Sequence, residues 1–132
     1  FVCNFTVVVN KKHFDEYKAK YNGLNLVTKR IGYQEILTEI ANCKCILELC
    51  QEGQDGLTMR FYEAVFYNKK LITNNTSAYE HYCYNPAYMN VINDISDINL
   101  NMLRSADKVD YKYQGEMSPV YFIQRIVTDL KK

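Results

Sequence analysis

Cys43-Lys44-Cys45-Ile46-Leu47-Glu48-Leu49-Cys50-Gln51-Glu52-Gly53-Gln54-Asp55-Gly56-Leu57-Thr58-Met59-Arg60-Phe61-Tyr62-Glu63-Ala64-Val65-Phe66-Tyr67-Asn68-Lys69-Lys70-Leu71-Ile72-Thr73 is the stretch on which the fold turns. Its first eight residues read as a strand, with Cys43 and Cys45 on one face because side chains alternate. Gln51–Asp55 is polar and reads as a loop. From about Gly56 to Tyr67 the apolar residues Leu57, Met59, Phe61, Ala64, Val65 and Phe66 predict a helix buried against a sheet. Asn68-Lys69-Lys70 turns into Leu71-Ile72-Thr73, a further strand. Parallel strands need a crossover of a dozen or more residues, usually a helix. Strand, helix and strand in this order therefore predict a βαβ unit.

The pattern extends in both directions. Upstream, Asn4–Val9 is β-branched and uncharged, and reads as a buried strand. Phe14, Tyr17 and Tyr21 have helical spacing within Lys11–Tyr21, and Asn22-Gly23 stops that helix. Leu24–Thr28 predicts a short strand; Tyr33, Ile36, Leu37 and Ile40 mark a second helix, with Glu35 and Glu39 outward. Downstream, Ser77–Cys83 and Asp97–Leu103 read as short helices, and Tyr88–Ile92 as a fifth strand. Ser105–Gly115 reads as a loop. Ser118-Pro119 is an N-cap followed by proline at the first helical position, and Val120, Ile123, Ile126, Val127 and Leu130 line one face of a last helix. The expected architecture is α/β: a doubly wound, mostly parallel sheet of about five strands with flanking helices, in one domain over residues 1–132. Such sheets bind ligands beyond the carboxyl ends of their strands. That directs attention to the loops Asn10–Lys12, Lys29–Gly32, Gln51–Thr58 and Asn74–Ser77.

Sixteen Lys and Arg against fifteen Asp and Glu leave a net charge of +1. This argues against nucleic acid as partner, which demands a clustered basic footprint. No apolar run approaches 18 residues, so no transmembrane helix is expected. The chain opens without an initiating Met or signal-like segment and almost at once enters a strand. The expectation is a piece of a longer protein, with sequence missing upstream. Five cysteines, with no Cys-x-x-Cys pair and no Cys/His zinc spacing, read as small buried thiols of a reducing compartment; a nucleophilic cysteine would need His13 or His81 brought to it by folding. Those histidines read as structural, and Tyr82 and Tyr84 as half-buried aromatics, with stacking on a nucleobase as the alternative. Lys69-Lys70 is read as solvating the end of the preceding helix, where cations suit the dipole. The sequons at Asn4, Asn74 and Asn75 carry no meaning in a cytosolic chain.

The chemistry concentrates in one stripe. If the helix starts at Gly56, then Gly56, Arg60 and Glu63 lie at i, i+4 and i+7 on one face. A helix start offers free N–H groups and a positive dipole end, glycines permit close backbone approach, and Arg60 could grip a diphosphate with two N–H groups. Glu63 would lie about 10 Å along the axis from Gly56, the step from a diphosphate to a ribose. The competing reading is an Arg60–Glu63 salt bridge on the helix's wet face.

Cys45-Ile46-Leu47-Glu48-Leu49, the run Gln54-Asp55-Gly56-Leu57-Thr58-Met59-Arg60-Phe61-Tyr62-Glu63-Ala64 and Lys69-Lys70-Leu71-Ile72-Thr73-Asn74-Asn75 together resemble bacterial glycosyltransferases of the GT-B type. More narrowly, they are similar to the C-terminal domain of lipopolysaccharide core or capsular polysaccharide biosynthesis proteins, marked by Gly-Leu-Thr-x-Arg-x-x-Glu-Ala followed by Lys-Lys-Leu-Ile-Thr-Asn. Tyr84-Asn85-Pro86 and Ser118-Pro119 also fit, and the resemblance spans roughly Tyr33 to Leu130. It implies a Rossmann-like domain, the C-terminal half of a GT-B fold, that binds a nucleoside-diphosphate sugar. It gives Glu63 the ribose, and Gly56, Thr58 and Arg60 the phosphates, with Gln54, Asn74 and Asn75 as further donor contacts; the two asparagines read equally well as turn residues. Many retaining members carry a second glutamate eight positions before the first; here that position is Asp55, and the role is not transferred. No metal and no cofactor are expected, since helix dipole and basic side chains stabilise the departing diphosphate in this class. The glycan or lipid-linked acceptor and any catalytic base would belong to the absent N-terminal domain, so this piece alone would be inactive. The implied location is the cytoplasm, with room for peripheral attachment at the inner face of the membrane. The base, the sugar and the choice between inversion and retention stay open. The alternatives are a non-catalytic nucleotide-binding module and a flavodoxin-like module working through protein contacts.

Overall fold

The computed structural model describes residues 2–131. It is α/β, with parallel strands in two small sheets and flanking helices. Its contacts divide the chain into two compact units, one through Ala41 and one from Asn42 onward. The expected five strands are present, but they form a two-stranded and a three-stranded sheet rather than one continuous sheet.

In the first unit, β1 (Thr6–Val8) pairs in parallel with β2 (Asn25–Val27), with Val7 opposite Leu26. The crossover is a 3-10 turn at Lys11–His13 followed by α1 (Phe14–Lys20). Asn10 caps the turn by accepting from the Lys12 N–H at 3.0 Å. Gly23, at φ +96°, takes the left-handed conformation where α1 gives way to β2. The helix α2 (Tyr33–Asn42) follows, with Ile40 buried and Glu35 and Glu39 exposed, as its spacing predicts. The β1 reading needs correction: Val7 and Val8 are exposed, because a sheet of two strands covers little of its own surface.

The second unit holds the main core. Strands β3 (Cys45–Glu48), β4 (Lys70–Thr73) and β5 (Met89–Val91) lie in that order, all parallel, with Ile46 opposite Leu71 and Ile72 opposite Asn90. The β3–β4 crossover is α3 (Met59–Phe66). Phe61 and Val65 of this helix are fully buried, as are Leu71 and Met89, each worth roughly 1.5–3 kcal/mol. A smaller cluster joins Ile72, Ile92 and Met102, with Cys45, Ile98 and Leu103 against it. The helix is buried on one side only, since its apolar residues Met59 and Phe66 are exposed.

The end of α3 explains the loop that follows. Asn68 adopts φ +49°, its N–H donates to the Val65 carbonyl at 3.3 Å, and the Lys69 N–H reaches the Ala64 carbonyl at 2.8 Å. This is a Schellman closure with asparagine in the left-handed position. Beyond β4, a 3-10 helix spans Thr76–Glu80. The segment expected as one helix over Asp97–Leu103 is two pieces, a 3-10 turn at Ile95–Asp97 and α4 (Leu100–Arg104), because Asp94 and Asn99 each cap a separate start. The last helix, α5 (Pro119–Asp129), begins where expected, with Ser118 accepting from the Val120 N–H. Its apolar stripe is exposed, Val120 at 62% and Ile123 at 59%.

Lys70 corrects a further expectation. It is buried rather than solvating the end of α3, and its Nζ donates at 2.6 Å to each of the Met102 and Ser105 carbonyls. A β4 side chain thereby caps the carboxyl end of α4.

A candidate ligand cleft at the carboxyl ends of β3 and β4

The loops after β3 and β4 enclose a shallow cleft of about 320 Å³, lined by Cys50, Gln51, Glu52, Gln54, Asp55, Asn74, Asn75, Thr76 and Ser77. It lies where parallel sheets place ligands. Three of the expected site residues line it: Gln54, Asn74 and Asn75. The other four, Gly56, Thr58, Arg60 and Glu63, do not.

The first wall is built by glycine geometry. Gly53 and Gly56 adopt φ +80° and +79°, a region that side-chain-bearing residues avoid. A Cβ at either position would meet nothing within 4 Å. These glycines are therefore required by backbone conformation rather than by crowding. Gly56 precedes the helix instead of opening it: the N-cap is Thr58, whose Oγ1 accepts from the Arg60 N–H at 3.0 Å. The expected three-residue stripe thus reduces to Arg60 and Glu63.

The second wall is built by two asparagines with different duties. Asn74 clips the strand ends together, accepting from the Cys50 N–H at 2.7 Å and donating to the Cys50 carbonyl at 2.9 Å. Asn75, 6% exposed, spans the walls: its Nδ2 donates to the Gly56 carbonyl at 2.8 Å, and its Oδ1 accepts from the Ser77 N–H at 3.0 Å. Both turn-forming and cleft-lining descriptions therefore apply to the same residues.

Beside the cleft is a buried polar cluster. Glu63 is 2% exposed, and its carboxylate pairs with Arg60, whose side chain is 38% exposed. The salt bridge weighed from the sequence is present, but Glu63 belongs to the interior, not to a wet face. Glu48, 3% exposed, accepts from the hydroxyls of Thr58 and Thr73. The sequence reading does not single out Glu48. Its signal was a lone carboxylate inside the apolar run Cys45-Ile46-Leu47-Glu48-Leu49, since acidic side chains are seldom fully buried unless paired.

The cleft lining holds two carboxylates, Glu52 and Asp55, and no Lys or Arg. Burial, with the Glu48 charge adding to it, pushes the Cys50 thiol above its ordinary value; a hydrogen bond from Asn75 opposes the shift. Burial drives Cys45 up to about 12 and also raises Cys83. These three thiols are thus unsuited to act as thiolate nucleophiles near neutrality.

His81 sits among Phe61, Tyr62 and Tyr82, with ring centroids 4.9, 6.1 and 4.5 Å away. Burial lowers its pKa, and its Nδ1 accepts from the Cys83 N–H at 3.2 Å. The neutral ring carrying its proton on Nε2 fits both observations. Tyr84 packs edge-on against Tyr79 at 5.0 Å. A second, more open hollow in the first unit is lined by Lys11, Phe14, Asp15, Leu26, Val27, Thr28 and Lys29.

Among the described residues no group of three or more His, Cys, Asp and Glu side chains is gathered to hold a metal ion, and no helix is long and apolar enough to cross a membrane. No family model, curated protein or solved structure matches this chain.

Proposed function

We propose that this chain is the donor-binding domain of a glycosyltransferase acting in lipopolysaccharide or capsular polysaccharide biosynthesis, with a nucleoside-diphosphate sugar as ligand. The observation that carries the reading is the cleft between the Gln51–Asp55 and Asn74–Ser77 loops, at the carboxyl ends of two adjacent parallel strands. The motif whose resemblance suggested the activity flanks the same cleft. The finer architecture that the reading requires is the Rossmann-like, doubly wound C-terminal half of a GT-B fold.

The roles follow from the lining. Gln54 and the loop amides can donate to phosphate oxygens, while Glu52 and Asp55 can accept from sugar hydroxyls. With no cation on the lining, phosphate binding here rests on backbone and amide dipoles. For Arg60 and Glu63 to serve diphosphate and ribose, they must exchange their mutual pairing for the ligand. The reading calls for no metal or cofactor. The acceptor, a glycan or lipid-linked glycan, would be held by another domain, at the cytoplasmic side of the membrane.

Calorimetric titration with UDP, GDP, CDP and ADP tests the reading. At least one is expected to bind, and Asn75→Ala is expected to weaken it about tenfold or more, a loss of roughly 1.4 kcal/mol. Absence of binding by all four at millimolar concentration would overturn it.

A further inference from the structure

We infer that Glu48 is the positioning residue of the cleft: one buried carboxylate sets the geometry of both walls. Its two oxygens take the hydroxyl protons of two threonines, each of which adjoins one of the two loops that enclose the cleft. Thr58 ends the Gly53–Gly56 loop and starts α3; its Oγ1 is already engaged by the Arg60 N–H. Thr73 ends β4; its Oγ1 is already engaged by the Asn75 N–H at 2.9 Å. A hydroxyl has one proton to give. Because each hydroxyl oxygen accepts from a backbone N–H, each sends its proton to Glu48, so both hydroxyl orientations are fixed.

The circuit closes through Asn75, whose Nδ2 returns to the Gly56 carbonyl. Four hydrogen bonds thus link Thr58 to Glu48, Glu48 to Thr73, Thr73 to Asn75 and Asn75 to Gly56, and the chain through Leu57 closes the ring. Glu48 itself is not among the cleft-lining residues, so it acts on a ligand only through the two walls. A glutamine cannot replace it. The carboxamide has one acceptor oxygen and an NH2 group, and one threonine proton is then left without its acceptor in a buried site.

The effect on ligand affinity rests on the donor-cleft reading; the effect on the walls does not, and the two are measured separately. Amide hydrogen exchange is followed in the chain and in Glu48→Gln, Thr58→Val and Thr73→Val, and the four nucleotides UDP, GDP, CDP and ADP are titrated into each. In Glu48→Gln, exchange is expected to accelerate about tenfold or more in both 51–58 and 74–77, with the interior of β4 unchanged. Thr58→Val is expected to loosen the first loop more than the second, and Thr73→Val the reverse; Thr58→Ser and Thr73→Ser restore protection. Affinity for whichever nucleotide binds best falls in the same order as the loosening. A folded Glu48→Gln with unchanged exchange in both loops overturns the inference. So does uniform loosening of the whole sheet, which marks a merely structural carboxylate. If Glu48→Gln does not fold, the threonine pair decides by whether the two loops respond separately. If no nucleotide binds the unaltered chain, the donor reading fails, while the exchange data still decide the role of Glu48.

Discussion

Gly56 shows how one residue can be legible in kind and misjudged in role. Its place before a helix predicts a phosphate-approaching glycine at the helix start. In the structure it lies ahead of the N-cap at φ +79° with open space where a Cβ would be. Gly56→Ala is expected to cost about 1–2 kcal/mol through conformational strain alone, and Gly56→Asn distinctly less, since asparagine tolerates this region. Urea-unfolding midpoints of the two variants check this; equal costs would point to a steric role instead. His81 supplies a pH prediction. Burial lowers its folded pKa below the unfolded value of about 6.5. Below that value the unfolded chain binds more protons, so the contribution of neutral His81 is intact above the unfolded pKa and is lost as pH falls toward the lower folded pKa. Stability measured against His81→Gln is therefore expected to decline as pH falls below about 6.5; parallel stability curves would contradict it. Buried polar residues were the least legible in the sequence. Lys70 looks like an ordinary charged position and Glu48 stands out only as a lone carboxylate in an apolar run; tertiary structure alone shows the carbonyls and hydroxyls that satisfy them.

Elements with chemical punctuation were read well, and those set by packing were not. Ser118-Pro119 fixes the start of α5, and Asn22-Gly23 the end of α1, because caps and left-handed turns are written locally. The start of α3 was placed too early, since Gly56 and Leu57 continue the apolar pattern while Thr58 makes the capping hydrogen bond. The final helix shows the reverse case: its periodicity is correct, but its apolar stripe is exposed, because periodicity does not say what lies opposite. The two N-caps make an element-scale prediction. Ser118→Ala removes only a cap and is expected to cost about 0.5–1 kcal/mol. Thr58→Ala removes a cap and the hydroxyl that Glu48 accepts from, and is expected to cost about twice as much. Thermal or urea unfolding of both variants measures the gap, and equal losses would mean that the Thr58–Glu48 contact adds nothing.

For the whole molecule, strand–helix alternation predicted parallel α/β structure correctly. It did not predict that the five strands would fall into two sheets, because alternation fixes neighbours in sequence and leaves sheet extent to long-range packing. Parallel topology directs attention to four loops, and two of them, those after β3 and β4, enclose the candidate cleft. Its division of labour was not legible, since Arg60 and Glu63 bind each other while Gln54, Asn74 and Asn75 line the space. The proposed function requires that this space receive a nucleoside diphosphate. Backbone amide shifts recorded during titration with UDP, GDP, CDP and ADP read this binding residue by residue. At least one nucleotide is expected to shift the amides of Gln51–Asp55 and Asn74–Ser77 in a saturable way. Shifts confined to other residues, or none at millimolar nucleotide, would contradict it.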